Sequence, residues 1–120
     1  MRGHKMKWNE CNCPICKKPA KYKDIDHIET LIISLYECDA CGRFSVDKET
    51  LKFKEGFIKE NQTLISMYIR EYTDREDATL EIVSKDEKMN EKNQITFEKI
   101  VELQQEKKRL IEETETCLNS

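Results

Sequence analysis

The sequence predicts an α+β protein, with an N-terminal unit of short antiparallel strands followed by a helical C-terminal part. Three observations carry this. Two Cys-x-x-Cys pairs bracket a strand-like run, with Cys13 and Cys16 on one side and Cys38 and Cys41 on the other. Apolar residues then recur at helical spacing through residues 54–73 and again through 95–118. Only three glycines and two prolines interrupt the chain, so long helices are free to form.

The chain has 120 residues, of which 38% are apolar and 38% charged, which argues against a large core. No window approaches the eighteen or so continuous apolar residues of a membrane span, and MRGHKMKWNE lacks the apolar run of a secretion signal. The expected setting is cytoplasmic, without membrane contact. There, thiols stay reduced and paired cysteines point to metal or catalysis rather than disulfides. The net charge of −3 is unevenly spread. Residues 1–23 hold seven basic residues against one acid, a net of +6, and the remaining 97 residues carry −9.

The chain divides into a basic tail over 1–10, a cysteine-bearing unit over 11–53 and a helical region over 54–120. In the second segment LIISLYEC (31–38), rich in branched and aromatic residues, predicts a strand. KYKDID before it is polar. GRFSV (42–46) predicts a further strand after a tight turn, and Gly42 suits a backbone position with positive φ. Phe57, Asn61, Leu64, Ile65, Tyr68, Ile69 and Tyr72, at helical spacing, predict one helix over 55–73. TLEIV (79–83) predicts a short strand. Ser84 and Glu87 match a capping box opening a short helix over 85–92. Ile100, Leu103, Lys107, Leu110, Thr114 and Cys117 mark the stripe of a last helix over 95–118, which charge interrupts.

Cys13, Cys16, Cys38 and Cys41 have the spacing of a four-cysteine zinc site. Two residues between ligands let one turn aim both sulfurs at a point, and twenty-one residues between pairs allow a hairpin to leave and return. Tetrahedral zinc accepts four thiolates, and its binding supplies folding energy that so small a unit cannot gather from apolar burial. A redox pair and an iron–sulfur site use the same residue types. Cys11 stands two residues before Cys13 and could replace it. His27 lies between the pairs and could approach the metal, and His4 falls in the tail. Four thiolates close a zinc site, and neither a Gly-rich phosphate loop nor a GxSxG stretch is present, so no enzymatic activity is expected.

CPIC…CDACGRF resembles the zinc-ribbon fold group, two knuckles at the ends of antiparallel strands. The resemblance covers about residues 11–46 and implies one structural zinc per chain, held by Cys13, Cys16, Cys38 and Cys41. With LISMYIREYTDREDATLEIVS added, the text looks like N-terminal zinc-ribbon modules of uncharacterised bacterial proteins, some multidomain and defence-related. It implies a recognition module that works through a protein partner: an adaptor, or an inhibitor from a bacterium, phage or mobile element. The last helix offers a surface for a homodimer. The alternative is nucleic-acid binding through Lys5, Lys7, Trp8, Lys17, Lys18, Lys21 and Tyr22, basic residues interleaved with aromatic ones.

Overall fold

A computed structural model of the chain describes residues 8–28, 31–84 and 93–119, with side chains described over 8–25, 32–84 and 93–112. The expected capping box and helix over 85–92 lie outside these residues. Four strands follow one another as antiparallel neighbours: β1 (Asn9–Asn12), β2 (Pro19–Ile28), β3 (Leu31–Cys38) and β4 (Gly42–Asp47). β3 spans the strand-like run, and β2 contains the polar KYKDID. Polarity does not prevent a strand there, because β3 offers β2 a ladder from Ala20 to Ile28, with β1 adding a second over Pro19–Tyr22. Its register shifts between Asp24 and Asp26. Just before this shift the Ser34 hydroxyl donates to Asp24 Oδ1 at 2.7 Å, and Lys48 Nζ lies 3.6 Å from the same oxygen.

Three helices follow: α1 (Lys48–Phe53), and then α2 (Glu55–Glu60) and α3 (Gln62–Glu76), which stand where one helix was expected over 55–73. Asp47 starts the first, its carboxylate accepting from the Thr50 amide at 2.8 Å. Asn61 breaks the expected helix. Its side-chain amide donates to Phe57 O at 2.9 Å, and its backbone N–H is shared between Phe57 O and Ile58 O. A side chain that takes a helical carbonyl competes with the helix, which restarts one residue later. Asp77, in the left-handed region at φ 48°, ends α3 with its amide on Thr73 O.

The chain then adds β5 (Leu80–Ile82) parallel to β4, and β6 (Gln94–Ile95) parallel to β5, completing a six-stranded sheet in sequential order. The parallel pairing of β4 and β5 requires the long helical crossover between them. Thr96 caps α4 (Phe97–Asn119), accepting from the Lys99 amide at 3.1 Å.

One core joins the strands to the helices. Phe44, Val46, Leu80 and Ile82 of the sheet pack with Ile65 and Ile69 of α3 and with Phe97 and Ile100 of α4, and Cys13, Ile15 and Cys41 belong to the same cluster. The register places Tyr22, Tyr36 and Phe44 side by side on β2, β3 and β4. Their rings stack in turn, with centroids 5.8 and 5.2 Å apart. The helices cover this face of the sheet.

A candidate four-cysteine metal centre

The hairpin β2–β3 carries the chain out and back, so that Ala20 opposite Cys38, and Cys38 opposite Gly42, bring both turns to one end of the sheet. In the first turn the Cys13 amide donates to Lys18 O at 2.7 Å and the Lys17 amide to Cys13 O at 2.9 Å. Closing it puts Lys17, directly after Cys16, at φ 67°. In the second turn Gly42, directly after Cys41, stands at φ 115°. The two turns thus use the same device, a positive-φ residue after the second cysteine. Glycine takes it without strain in one, and lysine bears it in the other.

The four sulfurs of Cys13, Cys16, Cys38 and Cys41 all lie within 4.8 Å of one another. Cys13 Sγ is 3.8 Å from Cys41 Sγ, and Cys16 Sγ is 3.6 Å from Cys38 Sγ. A tetrahedron with metal–sulfur bonds of about 2.3 Å has edges of about 3.8 Å, so the spacing suits an ion at the centre. It is far longer than the roughly 2.05 Å of a disulfide, and all four cysteines are free. Cys13, Cys38 and Cys41 are buried, and Cys16 is half-buried. Backbone amides already support the sulfurs: the Ile15 N–H donates to Cys13 Sγ and the Cys41 N–H to Cys38 Sγ, each at 3.4 Å.

The electrostatics of the tetrad favour a cation. Hydrogen bonding with the Cys41 thiol lowers Cys13 to about 5, with help from nearby amides against the cost of burial. Cys41 keeps the shared proton and is pushed up, first by that hydrogen bond and then by burial. Burial also raises Cys38. Packing several thiolates here without a counter-ion is unfavourable, and a divalent cation removes the conflict.

A third element completes the site. Helix α3 presents Ser66, Arg70 and Thr73 toward the second turn. Ser66 Oγ lies 3.1 Å from Cys41 Sγ, Arg70 Nη1 donates to Asp39 O at 2.7 Å, and Thr73 Oγ1 accepts from the Arg43 amide at 3.1 Å. The motif reading missed these residues. Their signal was present as a polar row at i, i+4 and i+7 beside the apolar stripe of the same helix.

Other expected site residues scatter. Cys11 is half-buried in β1, outside the tetrad. His27 sits near the far end of the β2–β3 hairpin, opposite Ile32. Seven residues separate it from Ala20 beside Cys38, about 23 Å along a strand, so its backbone is remote from the metal centre. His4, Lys5 and Lys7 lie outside the described residues. Trp8 meets Lys21 and Lys23, whose ammonium groups lie 5.3 and 4.6 Å from its ring centroid. Tyr22 does not join them. It faces the other side of the sheet, beneath Lys48 at 5.5 Å and against Tyr36. Lys17 and Lys18 are exposed in the first turn.

Comparison of the chain with protein-family models, with curated proteins and with solved structures returns no match. The class therefore rests on geometry alone: four cysteines placed so that they could hold a metal ion, in a zinc-ribbon-like arrangement at one end of a mixed sheet. Among the described residues no helix is long and apolar enough to cross a membrane.

Proposed function

We propose that this chain is a non-enzymatic, zinc-stapled scaffold that works in the cytoplasm by binding a protein partner, as an adaptor or inhibitor does. The observation that carries the reading is the closed tetrad. Four thiolates would fill a tetrahedral zinc: Cys13, Cys38 and Cys41 are buried, Cys16 is half-buried, and α3 lies against Cys41. This leaves no position for a substrate or an activated water. Zinc is the ion expected, because an all-thiolate tetrahedral set suits it and its role here is to hold two turns. The working surface is the sheet face opposite the helices. Trp8 there is 37% exposed and Ile25 38%, next to Lys21, Lys23, Glu37 and Arg43.

Nucleic-acid binding is the second reading, favoured by Trp8 with Lys21 and Lys23 clustered on that open face. The two readings separate in one titration. Trp8 is the single tryptophan, so its fluorescence reports this face directly. With single-stranded DNA or RNA at low salt, the protein-partner reading expects no change. A quench that salt reverses, and that Lys21→Glu/Lys23→Glu abolishes, would transfer the function to nucleic acid.

A further inference from the structure

The two cysteine turns differ in what stands against them. The second is packed by α3: Arg70 donates to the carbonyl of Asp39, the residue after Cys38, and a Cβ on Gly42 would strike Thr73. In the first turn the equivalent carbonyl is that of Pro14, directly after Cys13. It accepts from Lys17 of the same turn, an exposed side chain, over a long 3.4 Å. Beside this turn lies a notch of about 260 Å³, lined by Pro14, Lys17, Leu51, Lys52, Glu55 and Ile58.

The notch has an apolar floor and a charged rim. Ile58 is buried, Pro14 and Leu51 are half-buried, and Lys17, Lys52 and Glu55 are exposed. Its volume is below the roughly 300–1,000 Å³ of a cofactor or drug-sized site, so it suits one side chain of a larger partner. Among the described residues neither lysine has an ion-pair partner, and Glu55 pairs with neither. Two lysines against one glutamate leave the rim positive. Lys17 also holds its place against conformational preference. Glycine takes a φ of 67° without strain, as Gly42 does its own positive φ in the second turn. What lysine adds there is a charge at the mouth of the notch. The chain's own apolar side chains suit the notch poorly. Phe53 is the most exposed large one among the described residues, at 78%, but Lys52 and Lys54 flank it. A second copy docking through it would set lysine against lysine.

We propose that this notch docks a segment of a protein partner in which one apolar side chain is flanked by carboxylates. The apolar side chain enters between Pro14, Leu51 and Ile58, and the carboxylates meet Lys17 and Lys52. The notch shares no residue with the open sheet face, so it is a second contact that can be lost without the first.

Amide spectra of the zinc-loaded chain, titrated with a short peptide holding one leucine among glutamates, test this. The expected result is saturable shifts confined to residues 15–18 and 51–58. Lys17→Glu/Lys52→Glu should weaken binding about tenfold, and Glu55→Lys should tighten it. Lys17→Gly separates charge from fold: it relieves the turn, so the melting temperature should rise while binding falls. A peptide with serine for the leucine, or lysines for the glutamates, should not bind. No shifts at millimolar peptide, shifts at Trp8, Lys21 and Lys23 instead, or equal binding of the lysine peptide would overturn the proposal. So would a Lys17→Gly chain that binds like wild type.

Discussion

Replacing Cys38 with serine is expected to release the metal and unfold the sheet together with α3. Zinc binding by small four-ligand units is worth about 10–16 kcal/mol of apparent free energy at neutral pH. A domain of this size has a net stability of about 5–15 kcal/mol. Losing one of four thiolates therefore removes an amount comparable to the whole margin. The reach of the effect follows from the shared core. Read from the sequence, the cysteine-bearing unit looks separable from the helices, and such a variant would leave the long helices partly formed. In the structure Cys13, Ile15 and Cys41 pack in one cluster with Ile65, Ile69 and Phe97, and Ser66, Arg70 and Thr73 bond to the second turn. Amide spectra of Cys38→Ser should lose dispersion over residues 11–46 and over 62–76 alike. Native-like dispersion in either stretch would show that the metal centre does not hold the core.

The second large effect is expected at Gly42. A Cβ built there falls 2.3 Å from Thr73 Oγ1 and 2.9 Å from Thr73 Cβ, at a φ of 115°. Side-chain residues avoid that conformation, and the obstructing atoms sit near the backbone of a packed helix. Conformational strain of about 1–2 kcal/mol adds to overpacking of about 1–3 kcal/mol, so Gly42→Ala should cost about 2–5 kcal/mol. Gly56, inside α2, provides the contrast. Nothing lies within 4 Å of a Cβ there, and Gly56→Ala should stabilise by about 0.5–1 kcal/mol. Denaturant melts of the two variants should move in opposite directions. If Gly42→Ala melts like wild type, α3 does not press against the second turn as described.

The metal tetrad was legible in the sequence because ligand spacing is a local property. Two residues between cysteines define a turn, whatever the rest of the chain does. β3, β4 and β5 were legible for a similar reason, since branched and aromatic residues cluster in them. β1 and β6 were not. Asn9–Asn12 carries little intrinsic strand preference and Gln94–Ile95 is only two residues long, and each pairs because a neighbouring strand offers it a ladder. The break at Asn61 was hidden because the apolar stripe runs straight through it. The stripe records which face is buried and is blind to a side-chain amide taking the Phe57 carbonyl. The basic–aromatic patch was read as one surface along the chain. Strand alternation splits it, sending Lys21 and Tyr22 to opposite faces, so of the aromatic residues only Trp8 stays with the lysines.

The central claim is that a single zinc ion, held by Cys13, Cys16, Cys38 and Cys41, organises this fold. Native mass spectrometry of freshly purified protein, with metal analysis of the same sample, tests it most directly. The expected result is one zinc per chain, retained in the folded charge states and lost on acidification together with compact structure. A folded chain without metal, an iron signal in place of zinc, or a mass showing disulfides among these four cysteines would contradict it.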